Sequence, residues 1–286
     1  MPAAWSQWPA PAKLNLFLHI TGRREDGYHE LETVFQLLDR GDRVRLRRRD
    51  DGQVRRVRAL AGVAEADDLT VRAAQALRAA TGCRWGVDIE LDKHIPLGGG
   101  LGGGSSDAAS VLVGLDAVWD TALGEDALAE LGSCLGADVP VFVRGRSAWA
   151  TGVGDRLTAL ELPARSYVIV DPQCAVPTAA LFQVPELTRN STPTTIADFR
   201  AGAVSGNVFA PVVRKRFAPV AAALDWLGRF GDAQLSGSGG CGFVAVASMT
   251  QAEAIARQCP PQFRAWVAQG VDESPLLAAR RAWRRD

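Results

Sequence analysis

Residues 12–20, AKLNLFLHI, alternate strictly, with Ala12, Leu14, Leu16, Leu18 and Ile20 on one face and Lys13, Asn15, Phe17 and His19 on the other. A period of two predicts a β-strand with an apolar core face and a partly polar second face. A polar loop with Gly22 and Gly27 follows over residues 21–29, then an apolar stretch over 33–38. After Gly41, Val44 and Leu46 alternate with Arg43, Arg45 and Arg47, which predicts another strand. Asp67 and Asp68 offer N-cap chemistry for a helix over 69–80, ended by Gly82. Val87, Ile89 and Leu91 mark a strand, and a glycine-rich run comes next. Ser105 and Ser106 open a helix through Ala108, Val111, Leu112, Leu115 and Val118, and a further helix is predicted over 125–135. Residues 139–143 and 147–150 read as strands joined by a turn at 144–146.

The composition changes near residue 160. Beyond it come a strand over 167–170, a Ser/Thr/Pro-rich loop over 188–195, and a helix near 220–230. A second glycine-rich turn, LSGSGGCG, feeds a strand over 243–247, a helix over 252–258 and a strand near 263–267. No internal repeat is visible. The mixed order predicts an α+β protein in two lobes, residues 1–160 and 161–286.

Composition narrows the classes. The 286 residues carry 32 basic and 32 acidic side chains, and 47% are hydrophobic, so a sizeable core can be buried. A zero net charge argues against a dedicated nucleic-acid binder. One local excess stands out: residues 40–58 hold nine arginines against three aspartates. Five widely spaced cysteines without a C-x-x-C pair suit reduced thiols, and neither a signal segment nor a membrane-length apolar run is visible. A cytoplasmic protein is expected.

The strongest chemical signal is the run from Pro96 to Asp107, where Gly98, Gly99, Gly100, Gly102, Gly103 and Gly104 are broken only by Leu101. Glycines let a backbone approach a ligand and turn its N–H groups inward. The helix that starts directly afterwards adds free N–H groups and a positive dipole end, so the pair predicts a phosphate site. A flexible surface loop is the plainer alternative. No Lys follows to make a P-loop, and the G-x-G-x-x-G match lacks the second strand and acid of a dinucleotide fold. H-R-D and D-F-G are absent, which excludes a protein kinase.

The pattern P-x-x-x-G-L-G before paired small residues and a helix resembles the ATP loop of the GHMP kinase superfamily. Two further motifs of that superfamily have counterparts here, PAKLNL at 11–16 and LSGSGGCGF at 235–243. The three occur in the superfamily's order and span most of the chain. Segments 11–39, 135–143 and 206–217 resemble the branch that phosphorylates a cytidine-diphosphate-linked sugar alcohol in isoprenoid precursor synthesis.

The resemblance implies a two-lobed GHMP-kinase fold with a ferredoxin-like C-terminal lobe, ATP as phosphoryl donor, and Mg²⁺. It implies that Lys13 and Asp138 are catalytic, with Lys93, Pro96, the run from Gly98 to Gly104, Ser105 and Ser106 at ATP. Asn15, Tyr28, His29, Thr178, Phe182, Ser238 and Gly239 are expected at the acceptor, with the base between Tyr28 and Phe182 and its edge at His29. Taken without the resemblance, Asp138 reads as a turn or N-cap residue, Lys13 and Lys93 as solvated strand lysines, and Phe182 as core. No metal ligands are assigned, and Val208 stands where the branch usually has Asp. The partners implied are a small cytidine-diphosphate substrate and no nucleic acid or membrane, in a monomer or weak homodimer. Competing readings are another GHMP kinase, an RNA-binding protein using residues 40–58 and Arg280, Arg281, Arg284 and Arg285, or a nucleotide-binding module without catalysis.

Overall fold

The computed structural model describes residues 4–283. Two long strands dominate its first half. β1 (Ser6–Arg23) and β2 (His29–Arg49) pair antiparallel along their whole length, from Ser6 opposite Leu46 to Arg23 opposite His29. The loop predicted over 21–29 is therefore only a tight turn. The strand does not break at Gly41 either. A Cβ there would lie 2.0 Å from the Ala10 carbonyl oxygen, so glycine serves the close approach of β1. The register shifts between Pro11 and Lys13 on β1, beside this point.

β3 (Val54–Arg56), α1 (Leu69–Thr81), β4 (Gly86–Asp92), α2 (Gly103–Val118) and α3 (Glu125–Ser133) follow. The Asp68 side chain caps α1 by accepting from the Thr70 N–H, and Gly82 ends it in the left-handed region, as the pattern predicts. Residues 139–143 correct the reading: they are helix α4 (Val139–Arg144), not a strand. The run is buried throughout, so its apolar pattern carries no period. Pro140 suits a first helical turn, and Gly145 at φ 61° closes the last. β5 (Ala148–Thr151) and β6 (Arg156–Ala159), the latter unpredicted, complete this half.

The second half contains β7 (Ser166–Asp171), α5 (Thr178–Leu181), α6 (Ile196–Arg200), α7 (Ala210–Arg216), α8 (Ala218–Leu227), β8 (Ala233–Leu235), β9 (Gly242–Val246), α9 (Met249–Ala256), β10 (Arg264–Val271) and α10 (Pro275–Trp283). The sheet order β10-β7-β9-β8, with α8 and α9 as the connecting helices, is the ferredoxin-like arrangement. The fold is thus α+β with two lobes. β10 joins them, pairing with β7 along Arg264–Gln269 and with β2 at Gly270 and Val271. One core packs α1 to α4 against β1, β2 and β4; another packs α8 and α9 against β7, β9 and β10.

The arginine-rich stretch is a charge ladder. Arg45 meets Glu90 at 2.6 Å, Arg47 meets Asp88 at 2.7 Å, and Arg49 meets Asp88 at 2.9 Å. Arg45 and Arg47 also lie over the Trp5 ring. β4 supplies the opposing carboxylates, so an RNA backbone would have to displace them. Arg280 is likewise paired with buried Asp116, and Arg281 with Glu273, while Arg284 and Arg285 lie outside the described residues. Among the described residues, no helix is long and apolar enough to cross a membrane.

Candidate active site

Lys13 projects from β1 beside the irregularity that follows Pro11. Its backbone N–H donates to the Leu101 carbonyl at 3.0 Å, which ties the strand to the glycine run. Its ammonium donates to Asn15 Oδ1 at 2.5 Å and lies 3.3 Å from Asp138 Oδ2. The Lys13 side chain is only 4% exposed, so the solvated-strand reading fails. A lysine buried to that degree needs compensation, and Asp138 provides it. Asp138 stands at the N-cap position of α4, but its side chain makes no cap bond. The plain N-cap reading fails too, and the carboxylate faces Lys13. Asn15 is oriented in turn: its Nδ2 donates to Thr33 Oγ1 at 2.9 Å, and that hydroxyl donates to the Phe17 carbonyl.

These residues line a cleft of about 560 Å³, which Ser105, Tyr28, His29, Thr178, Phe182 and Ser238 also line. One volume therefore holds both the Lys13–Asp138 pair and the residues expected around a base. The detail differs from expectation. His29 is itself stacked on Phe182, with centroids 5.0 Å apart at 29°, and Phe182 meets Phe209 edge-on. The imidazole thus covers the Phe182 face that was expected to close on the base. Tyr28 is 65% exposed at the turn, as a polar-loop tyrosine should be. Thr178 and Ser238 share a hydroxyl hydrogen bond of 2.8 Å. Gly239 does not line the cleft; it packs on the glycine run instead.

That packing explains much of the glycine content. The turn between β8 and β9 lies against the run: the Cys241 N–H donates to the Gly99 carbonyl and the Ser236 hydroxyl to the Gly100 carbonyl. A Cβ on Gly100 would stand 2.0 Å from the Ser236 oxygen, and one on Gly239 would stand 2.1 Å from the Gly100 nitrogen. Gly99, Gly102 and Gly103 are confined by Cys241, Phe142 and Ile95. Gly104 differs. Its nearest neighbour would be Leu69 at an ordinary 3.6 Å, so protein packing does not require glycine there. It sits in the first turn of α2, which no side chain caps. Free N–H donors and absent side chains form a cradle that fits a phosphate chain. The Ser106 hydroxyl, fully buried beside it, has no partner among the described residues.

Comparison with known proteins agrees with this geometry. Residues 68–146 match the family described as GHMP kinases N terminal domain, and residues 186–265 match GHMP kinases C terminal. A 4-diphosphocytidyl-2-C-methyl-D-erythritol kinase of Xanthomonas axonopodis pv. citri (strain 306) is 58% identical, over 97% of this chain and 95% of its own. The kinase of the same name from Halorhodospira halophila is 58% identical over 95% of each. The chain belongs to the GHMP kinase family, in its 4-diphosphocytidyl-2-C-methyl-D-erythritol kinase branch. A crystal structure of a 4-(cytidine 5'-diphospho)-2C-methyl-D-erythritol kinase superposes with TM-score 0.79 at 33% identity, covering 93% of this chain and all of that one. A mevalonate kinase at 13% identity, TM-score 0.66, shares the fold.

In this GHMP kinase Lys93 is neither solvated nor free. Its ammonium lies 2.5 Å from Asp42 and 2.9 Å from Asp107. Asp42 also accepts from the His94 and Ile95 N–H groups, which holds the approach to the glycine run. Burial works against the Lys93 ammonium, but the charges of Asp107 and Asp42 outweigh it and raise its pKa. Two carboxylates share one ammonium, so one of them carries surplus charge. Burial pushes Asp107 up to about 8, with Asp42 reinforcing and Lys93 opposing. A carboxyl that stays protonated in the fold but ionises at about pH 4 when unfolded lowers stability as pH rises through that window. Asp107→Asn removes the titration. The wild-type melting temperature should therefore lose ground to that of Asp107→Asn as pH rises from about 5 to 8. Parallel slopes by calorimetry would contradict this account.

Asn207 is a residue to which the sequence reading gave no role. Its Nδ2 donates to the Leu235 and Gly237 carbonyls at 2.9 and 2.7 Å, and its Oδ1 accepts from the Phe209 N–H. It thereby clamps the turn that bears Ser238. Neighbouring Val208 packs on the cluster of Leu18 and Phe209 and makes an apolar contact. A larger cavity, about 910 Å³, opens beside the first residues of β1, away from Lys13 and Asp138. Arg40, Arg43 and Arg257 line it together with Asp39, Asp42 and Glu253, and we place no chemistry there.

Proposed function

We propose that this GHMP kinase transfers the γ-phosphoryl group of ATP to the 2-hydroxyl of 4-diphosphocytidyl-2-C-methyl-D-erythritol, a step of non-mevalonate isoprenoid precursor synthesis. The observation that carries the reading is the shared cleft: Lys13 and Asp138 line the same volume as His29 and Phe182. Asp138 accepts the proton of the acceptor hydroxyl as its oxygen attacks the γ-phosphorus. The bond from that phosphorus to the bridging oxygen breaks, and ADP leaves. Lys13, 3.3 Å from Asp138, holds that carboxylate in place and faces the negative charge of the phosphoryl group in transit. Asn15 orients the pair and the acceptor, while Tyr28, His29, Thr178, Phe182 and Ser238 hold its cytidine end.

The phosphate chain is proposed to lie on the run from Gly98 to Gly104 and the uncapped start of α2, with Ser105 and Ser106 beside it. Among the described residues, no group of three or more His, Cys, Asp or Glu side chains could hold a metal. Mg²⁺ would be carried mainly by phosphate oxygens and water, with the Ser105 or Ser106 hydroxyl as the protein group that would hold it. Mg²⁺ supplies charge neutralisation on the phosphates. Residues 1–160 are proposed as the ATP-binding and catalytic lobe and 161–286 as the lobe completing the cleft. The enzyme is proposed to act in the cytoplasm as a monomer or weak homodimer, without nucleic-acid or membrane partners.

The test is ADP release from ATP and Mg²⁺ with 4-diphosphocytidyl-methylerythritol, homoserine, mevalonate and galactose offered in parallel. Turnover with the cytidyl acceptor alone is expected. Turnover with another acceptor would retain the ATP loop and overturn the cytidine assignment.

A further inference from the structure

The wall of the cleft that carries Thr178 and Phe182 has little regular structure. After the short helix α5, residues 182–195 form no strand or helix. Their carbonyls need donors from elsewhere, because a backbone group left unpaired near the core is costly. One side chain donates to three of them, although the Val184 carbonyl also accepts from the Leu187 N–H. Arg189 donates from Nη1 to the Leu187 carbonyl at 3.0 Å, and from Nη2 to the Phe182 and Val184 carbonyls at 2.9 and 2.7 Å. Beneath them Leu181, Val184 and Leu187 are buried with Leu18 and Phe209. The guanidinium is half-buried, and it has no ion pair among the described residues.

The segment it holds ends at the base-facing side of the cleft. Phe182 stacks on His29, and His29 Nε2 is buried without a partner. We infer that Arg189 is a positioning residue for the pyrimidine end of the acceptor: it fixes the segment whose Phe182 ring stacks on His29 and carries a permanent positive charge on that segment. The inference rests on the assignment of this cleft to the cytidyl acceptor.

The two effects act together. Burial first, then the charges of Arg189 and Arg23, hold the His29 imidazole below its ordinary pKa. Arg23 acts from the end of β1 and Arg189 from this segment, while Glu30, next along β2, lies 3.9 Å from Arg24. A protonated imidazole has only N–H donors, whereas the neutral ring keeps one acceptor nitrogen. A cytosine edge presents an amino group beside ring acceptors, so only the neutral ring can take a hydrogen bond from that amino group. An Arg fork that satisfies three carbonyls while carrying a charge that cannot titrate performs both tasks; a Lys retains the charge but loses the fork.

Arg189→Met and Arg189→Lys separate them. His29 titration is followed by NMR in the full chain, assigned with His29→Gln, alongside steady-state kinetics. In Arg189→Met the His29 pKa should move up. KM for the cytidyl acceptor should rise about tenfold or more, while kcat changes by less than about threefold and KM for ATP holds. In Arg189→Lys the His29 titration should stay near wild type while the acceptor KM still rises. An unchanged acceptor KM in Arg189→Lys overturns the fork, and it carries the test if Arg189→Met does not fold. An unchanged His29 titration in folded Arg189→Met overturns the electrostatic role. A wild-type enzyme that ignores the cytidyl acceptor but uses another overturns the assignment of the cleft, and the inference with it.

Discussion

Asp138→Ala should lower kcat by about 10²- to 10⁴-fold, the range for loss of a positioned general base. The carboxylate is 31% exposed, and its oxygen is 3.3 Å from an ammonium that is 4% exposed. Solvent and the acceptor can reach the acid, while the lysine is sealed behind it. No cap bond or backbone N–H of α4 is lost with the side chain, but the buried Lys13 ammonium loses its carboxylate, so the fold should persist at a lower melting temperature. ATP affinity should change little, because the glycine run and the start of α2 are untouched. Lys13→Met should cost a comparable factor, since Lys13 contacts Asp138 at 3.3 Å and faces the moving phosphoryl group. The double variant should be little worse than either alone, as for groups that act as one unit. Single-turnover rates with bound ATP are the direct measurement. An Asp138→Ala enzyme with kcat within about tenfold of wild type would remove the aspartate from the proton transfer.

Gly100→Val is expected to be the most damaging single change outside that pair. Its Cβ would lie 2.0 Å from the Ser236 carbonyl oxygen and 2.9 Å from the Gly239 nitrogen, both backbone atoms that cannot rotate away. The residue also has φ 78°, where a β-branched side chain is strained. One glycine turn must then lift from the other. Overpacking of this kind costs about 3 kcal/mol, which lowers the melting temperature by roughly 6–10 °C in a chain of this size. Activity should fall with it, because Leu101 of the run accepts from the Lys13 N–H and the opposing turn bears Ser238. Gly104→Ala is the companion. Its Cβ has room in the protein at 3.6 Å from Leu69, so the fold should persist while KM for ATP rises. A stable Gly100→Val with wild-type KM values would show that the two turns are not mutually required.

Elements with a local period or a local stop signal are legible in the chain itself. The alternation of residues 12–20 places Lys13 and Asn15 on one strand face, and they share a hydrogen bond. Asp68 and Gly82 bound α1 because capping chemistry is encoded within a few residues of a helix end. The glycine run leading into α2 is legible for the same reason. Residues 139–143 are not, because a short run buried on every side has no polar face to reveal its period.

The sequence by itself determined the strand that bears Lys13 and the glycine run leading into α2, and through long matching segments it determined the family. The tertiary structure alone decided how the charges are matched. Lys13 is buried because α4 carries Asp138 to it, and Lys93 lies between Asp42 and Asp107 rather than in solvent. It also decided why glycine is required at Gly100, whose carbonyl receives a hydroxyl from a residue 136 positions away. Periodicity records what a residue does within its own element. Compensation of a buried charge, and the contact of two backbones, depend on atoms that only folding brings together.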